Sequence, residues 1–268
     1  VANDNYIEKG LFKIVGILLI FIFLCNCKTN YPRTFTKDHG ALVRGDSTRQ
    51  QLTLVFTGHE FADGSETIRD ILKKYKIKAA FFFTGTFYRN PNFKRVIENL
   101  IEDGHYLGAH SYDHLLYCDW NNRDSLLVTY QEFLGDLKSN YKEMKRFGIT
   151  KKQAPYFLPP YEWYNNHIAD WTSDYGLKLI NMTHGTLSHA DYTTPAYSNY
   201  RSSEAIYNSI LDFEGKNTSG LNGFLLLMHV GTDPNREDKF YNRLEELILE
   251  LKSRKYAFVG LEDILAKE

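Results

Sequence analysis

From residue 51 onward the chain alternates short, almost wholly apolar runs with segments whose apolar residues recur three and four apart. QLTLVF (51–56) reads as a strand, and Ile68, Ile71, Leu72 and Tyr75 follow at helical spacing. IKAAFFFTG (77–85) is too apolar for a strand with one wet face and suits a buried parallel sheet. Phe93, Val96, Ile97, Leu100 and Ile101 mark a second helix, with Pro91 near its start and Gly104 after its end. HYLGAH (105–110) is a third strand. A long helix follows, with Tyr130, Phe133, Leu134, Leu137, Tyr141 and Met144 on one face, and Gly148 ends it. PYFLPPY (155–161) is strand-like but broken by prolines, and LKLINM (177–182), GFLLLMHV (223–230) and YAFVG (256–260) are clearer strands. Phe240, Leu244, Leu247, Ile248 and Leu251 stripe the last long helix. About seven βα units in ~210 residues predict an α/β fold with a parallel sheet, closed into a small barrel rather than left open. In either geometry functional groups belong on loops at the C-terminal ends of the strands.

The segment before residue 51 reads as an address. Residues 14–25, IVGILLIFIFLC, form a run of 12 apolar residues behind Lys9 and Lys13. A spanning helix needs about 20, so the run fits the core of a secretory signal. It ends in Leu24-Cys25-Asn26-Cys27, which looks like the processing site of a bacterial lipoprotein, with Cys27 the favoured lipid-bearing residue and Cys25 the second. The alternative is an uncleaved hydrophobic anchor. Both predict export and a membrane partner at the N-terminus, in the periplasm or at the cell surface. Residues 1–27 are then the signal segment, 28–50 a polar tether and 51–268 the functional domain. Cys118 is the one remaining thiol, so no internal disulfide is implied. Net charge is -1, with 32 Lys+Arg against 33 Asp+Glu, which gives no footprint for nucleic acid.

Several chemistry-bearing residues fall at predicted strand ends. His110 and His114 are four apart after the third strand. If the chain turns helically there, both imidazoles face one way and suit zinc or a neighbouring divalent ion. His229 ends the apolar run Phe224-Leu225-Leu226-Leu227-Met228. Trp163, Trp171, Tyr192, Tyr197 and Tyr200 are candidates for a sugar groove or for the core. His184 and His189, flanking Gly185 in a long loop, read as solvated residues, with contact to substrate as the lesser alternative.

GHYLGAHSYDH resembles the second motif of the polysaccharide deacetylases, the NodB-like carbohydrate esterases of family 4. Gly104-His105, His110-Ser111 and His114 fill that pattern, in which two histidines bind metal. KAAFFFTG (78–85) is similar to another strand of the family, Phe157-Leu158-Pro159-Pro160-Tyr161 to its R-x-P-P-Y segment, and Leu226-Leu227-Met228-His229 to its late strand ending in a catalytic histidine. The resemblance covers most of 51–260 in the family's order. It implies a distorted (β/α)7 barrel and metal-dependent removal of acetyl groups from a carbohydrate polymer or oligosaccharide. It implies His229 as general acid, oriented by Asp174, Asp191 or Asp233, and the Tyr161 N–H as an oxyanion donor.

Two departures stand out. The family's first motif carries two aspartates directly after the strand, one a base and one a metal ligand. Here Thr57 and Gly58 follow Phe56, and neither can do these jobs. The expected substitutes are His59, Glu60 and Asp63. In one partition His59 joins His110 and His114 on the metal and leaves Glu60 or Asp63 as base. In the other a carboxylate completes the metal site. Leu158 stands at or near the place where the family carries an arginine that orients the base, and no arginine replaces it nearby. The metal expected is Zn²⁺, with Co²⁺ or Mn²⁺ as substitutes, and the partner an acetylated polysaccharide. The rival readings are a non-catalytic carbohydrate-binding relic of the same fold and, behind it, a glycoside hydrolase using Glu60 and Glu162.

Overall fold

The computed structural model describes residues 34–266. The signal segment, the two candidate lipidation cysteines and the first part of the tether lie outside the described residues. Nine strands and eight helices follow one another: β1 (Thr36–Asp38), β2 (Ala41–Arg44), β3 (Gln51–Gly58), α1 (Ser65–Tyr75), β4 (Ala80–Phe83), α2 (Gly85–Arg89), α3 (Lys94–Glu102), β5 (Tyr106–Ala109), α4 (Tyr130–Lys145), β6 (Tyr156–Phe157), α5 (Asn166–Asp174), β7 (Lys178–Leu179), α6 (Ser203–Lys216), β8 (Phe224–His229), α7 (Leu244–Ser253), β9 (Ala257–Phe258) and α8 (Leu261–Ile264). Among the described residues no helix is long and apolar enough to cross a membrane.

The strands form one curled, mixed sheet in the order β1-β2-β8-β3-β4-β5-β6-β7, with β9 beside β3. β8, β3, β4, β5, β6 and β7 run parallel. β2 runs antiparallel to β8, and a bridge from Leu42 to Ile180 brings the two edges of the curl together. This is the α/β barrel-like architecture expected, with one correction. Residues 36–44, read as tether because they are polar and broken by Gly40, are part of the sheet. Ala41 and Val43 bury their side chains while Leu42 and Arg44 are half-buried, a period-2 pattern too short to stand out in the sequence.

The strand register decides what faces the mouth of the curl. Leu54 and Phe56, Phe81 and Phe83, and Leu226 and Met228 pack outward against the helices. Val55, Phe82, Leu225 and Leu227 pack inward with Tyr156, Leu158 and Ile180. Because successive side chains alternate in a strand, the next inward positions at the C-terminal ends are Thr57, His110 and His229. Thr57 and His229 are direct neighbours across β3 and β8. The pairs Gly58–Phe83, Phe83–Ala109 and Ala109–Phe157 bring the ends of β3, β4, β5 and β6 level. A Cβ on Gly58 would stand 2.8 Å from both Phe83 and Val230, so the close packing at this rim leaves no room for a side chain.

Candidate active site

A pocket of about 570 Å³ opens at the strand ends. Its wall takes His59 and Glu60 from the loop after β3, His110 and His114 from the turn after β5, Tyr161 and Glu162 after β6, and His229 from β8. The candidate metal ligands, bases, acid and oxyanion donor therefore meet in one place, with one exception. Asp63 is not on the wall. Its Oδ1 accepts the Thr232 N–H at 2.8 Å, and its Oδ2 meets the Tyr241 hydroxyl at 2.9 Å and Lys239 Nζ at 3.0 Å. Burial alone would raise its pKa, but Lys239 and these hydrogen bonds pull it below the usual carboxylate range. With its oxygens so engaged, Asp63 fastens the loop after β3 to the loop after β8 and makes a poor base.

His110 and His114 come together, though not on a helix. Ser111 and His114 adopt left-handed backbone conformations, with φ of 69° and 57°. The resulting bent turn sets the two rings 5.0 Å apart at 63°. Helix α4 holds it in place. Asp136 accepts the Ser111 hydroxyl at 2.7 Å and the N–H groups of Tyr112 and Asp113 at 2.8 and 3.0 Å. One turn further on, Asn140 Oδ1 accepts the His110 N–H at 3.0 Å. Both are buried polar residues on the otherwise apolar face of α4. That irregularity, two polar residues four apart inside the stripe 133–144, was the readable signal for them. Replacing Asp136 by Ala strands three donors. Hydrogen bonds to charged groups are each worth about 1.5–3 kcal/mol, so unfolding in urea should show a loss of about 2–4 kcal/mol, and a change within error of zero would remove Asp136 from this role.

The imidazoles are kept neutral. His110 is 2% exposed, and burial lowers its pKa to about 3 despite the carbonyl of Leu158, which its Nδ1 approaches at 2.8 Å. Burial and then the neighbouring His110 and His59 lower His114 to about 2. Burial also lowers His59, against the opposing pull of Glu60 and Asp113. Neutral imidazoles with free lone pairs are what a divalent ion requires. The donor chemistry of the set fits such an ion. The placement of the third ring is less direct: His59 lies flat on His114, 4.8 Å away and 13° from parallel, with its Nδ1 3.2 Å from the Thr84 hydroxyl. Among the described residues no group of three His, Cys, Asp or Glu side chains converges on one position. Glu60, 3.9 Å from His59 Nε2, keeps its side chain 68% exposed.

His229 has the partner that one sequence left open among three aspartates. Asp191, in the turn Ser188–Tyr192, accepts the His229 N–H at 2.9 Å through Oδ2 and holds the ring's Nδ1 at 2.6 Å through Oδ1. Burial disfavours the imidazolium, but Asp191 and then Glu162 outweigh it, and the His229 pKa is raised. With Nδ1 tied to a carboxylate that favours its protonated form, the ring presents Nε2 as a proton donor.

Leu158 is buried inward with Tyr156 and supplies no charge. Its carbonyl orients His110 instead. Beyond it the two prolines force a turn that leaves Tyr161 and Glu162 left-handed, with φ of 58° and 53°. The Tyr161 N–H meets no acceptor among the described residues. The Tyr161 ring stands edge-on to His114, 4.4 Å away. Trp120, 54% exposed, stacks on Trp163 and meets Tyr161, so these rings form one side of the pocket mouth. Tyr192 and Tyr197 line the opening as well. Trp171 instead packs on Tyr130 and Phe133, and Tyr200 lies against Arg236. His189 reaches the pocket wall with its Nδ1 buried and unpartnered, a correction to its reading as a solvated loop residue. Trp120 sits in an irregular loop and His189 in the short turn Ser188–Tyr192, and neither offers a periodicity that marks a side chain's direction.

Comparison with known proteins follows the same line. A family profile described as "Polysaccharide deacetylase" matches residues 45–180. Among curated proteins the chain is 22% identical to peptidoglycan-N-acetylmuramic acid deacetylase PdaA of Bacillus subtilis over 228 residues, 85% of this chain and 76% of that protein. It is 23% identical to peptidoglycan-N-acetylglucosamine deacetylase PgdA of Listeria monocytogenes over 82% of this chain, spanning only 40% of that longer protein. The solved structure of Bacillus subtilis PdaA, a family 4 carbohydrate esterase, superposes with a TM-score of 0.64 at 20% identity, covering 88% of this chain and 96% of that one. BA3943 of Bacillus anthracis, a CE4 family pseudoenzyme, shares the fold equally well, with a TM-score of 0.65 at 16% identity, covering 85% of this chain and 70% of that one. With the family profile spanning half of the chain and the fold shared, the chain belongs to the polysaccharide deacetylase family, the NodB-like carbohydrate esterases of family 4.

Proposed function

We propose that the protein is a metal-dependent hydrolase that removes N- or O-linked acetyl groups from a carbohydrate polymer or oligosaccharide. The observation that supports this best is the Asp191–His229 dyad sharing one pocket with the neutral pair His110 and His114. His110 and His114, with His59 or Glu60, would hold a divalent ion, most simply Zn²⁺, with Co²⁺ or Mn²⁺ as substitutes. When bound, such an ion supplies Lewis acidity toward the acetyl carbonyl and the attacking water. The chain's own groups do the rest. The free N–H of Tyr161 is the donor for the developing oxyanion. His229 gives a proton from Nε2 to the departing nitrogen or oxygen, while Asp191 holds the ring in place and stabilises its charge. Trp120, Tyr161, Tyr192 and Tyr197 offer flat apolar faces to sugar rings at the mouth.

Acetate release tests this reading. The protein, loaded in turn with Zn²⁺, Co²⁺ or Mn²⁺, is offered chitooligosaccharides, peptidoglycan glycan strands and acetylated xylan. Turnover on at least one, abolished by a chelator and restored by metal, is the expected result. The second reading is a glycan-binding protein without turnover. It is favoured by the parallel stacking of His59 on His114 and by the fold's likeness to a pseudoenzyme. Binding of the same glycans with no acetate released under any metal would select it. The N-terminal segment is proposed to export the domain and tether it to a membrane by lipid at Cys27, or at Cys25. Membrane fractionation of the two Cys→Ser variants tests that address.

A further inference from the structure

We propose that Glu162 is the general base of this hydrolysis, the carboxylate that takes the proton from the attacking water. The proposal rests on the deacetylase reading above and assigns a role left vacant there. The two carboxylates of the rewritten loop are unsuited to it: Asp63 is spent on Thr232, Tyr241 and Lys239, and Glu60 is mostly in solvent. Glu162 lies on the pocket wall, and among the described residues no hydrogen bond or ion pair reaches its carboxyl. A half-buried carboxylate that satisfies nothing else is free to accept a proton from a bound molecule.

The backbone points the same way. Tyr161 and Glu162 are consecutive left-handed residues, and neither is glycine. Glycine would occupy such a position without strain. The turn closes on itself, with the Glu162 N–H donating to the Pro159 carbonyl at 3.2 Å, and is held from outside by Asn181 Nδ2, which donates to the Glu162 carbonyl at 2.8 Å. Strain held by surrounding structure, at the rim of a pocket, is where function rather than stability explains a side chain. The titratable groups acting on Glu162 are His229 from β8 and Asp191 and Tyr192 from the turn 188–192. Burial raises the carboxyl to about 7, with His229 opposing and Asp191 adding. Glu162 is thus poised as base beside a His229 whose protonated form Asp191 favours, one group for each role in a paired acid–base site.

Glu162 takes one proton from water as the water oxygen bonds to the acetyl carbonyl carbon and the carbonyl π pair moves onto oxygen. The carbonyl re-forms as the bond to the sugar nitrogen or oxygen breaks, and the leaving atom takes a proton from His229 Nε2. The products are acetic acid and the free amine or hydroxyl. Exchange with solvent returns Glu162 to carboxylate and His229 to imidazolium.

The test compares wild type, Glu162→Gly, Glu162→Gln and His229→Ala on a substrate that the wild type deacetylates. Glu162→Gly removes the carboxyl and relaxes the turn, so its thermal midpoint should equal or exceed the wild type's, and its metal content should be unchanged. Its kcat should fall by about 10²–10⁴-fold and recover in part with added formate, a small carboxylate that can enter the space. The acid limb of the kcat/KM profile, near pH 7 in the wild type, should vanish in Glu162→Gln. A kcat within threefold of wild type in both Glu162 variants, with His229→Ala inactive, overturns the role of Glu162 and leaves the deacetylase reading standing. A wild type that releases no acetate from any glycan overturns both. Loss of kcat without formate rescue and with the acid limb intact also overturns the base, since it assigns Glu162 a positioning role toward His229.

Discussion

Replacing His229 by alanine lowers kcat for acetate release by about 10²–10⁴-fold, the usual contribution of a positioned general acid, while fold and metal content stay as in the wild type. Leu225 and Leu227 face the interior of the curl, so His229 faces it too, one step beyond the packed core and at the mouth. There Asp191 does two things at once. It fixes the ring through Nδ1, and its charge favours the imidazolium, raising the ring's pKa. Asp191→Asn keeps the shape and removes the charge. It should lower kcat in the same direction and move the alkaline limb of the pH profile to lower pH, because a raised acid pKa falls when its carboxylate partner is lost. Steady-state kinetics across pH read both effects. An unchanged kcat in His229→Ala would take the dyad out of the mechanism.

The second large effect is at His110 and His114. The double alanine variant should bind no stoichiometric metal and lose activity by at least about 10³-fold, matching the several kcal/mol that a Lewis acid contributes. The two rings are poor bases because burial keeps them neutral, and a neutral imidazole that cannot usefully trade protons is best employed as a donor of electron pairs. The turn that carries them is held by Asp136 and Asn140 rather than by the rings, so the variant should still fold. Metal analysis by mass spectrometry, beside a thermal melt of the apo forms, separates loss of metal from loss of structure. Retention of one equivalent of metal in the folded double variant would refute the site.

The parts legible in the sequence are those governed by period. Residues 51–58, 80–83, 106–109 and 224–229 are strands buried on both faces, and continuous apolar runs such as FFF and LLL have few other uses. Position at the end of such a run is enough to place His59, His110 and His229 on one rim. What the pattern did not carry was set by single side chains acting over long separations. Asp63 looked like a spare carboxylate until Lys239 and Tyr241, about 180 residues on, were seen to occupy it. Asp191 was one of three aspartates for His229 until the turn 188–192 packed beside β8. Residues 36–44 looked like a linker because β1 and β2 are three and four residues long, too short to show alternation. The geometry between His110 and His114 was read as a helical turn, whereas the left-handed residues Ser111 and His114 make a tighter bend that sequence spacing does not reveal.

The most direct measurement is a crystal structure of the chain grown with zinc. The account places the ion at about 2.0–2.1 Å from Nε2 of His110, whose Nδ1 is held by Leu158, and from a ring nitrogen of His114, with a third donor drawn from His59 or Glu60. An ion bound elsewhere, or the rings of His59 and His114 still stacked and unligated at saturating zinc, would contradict it.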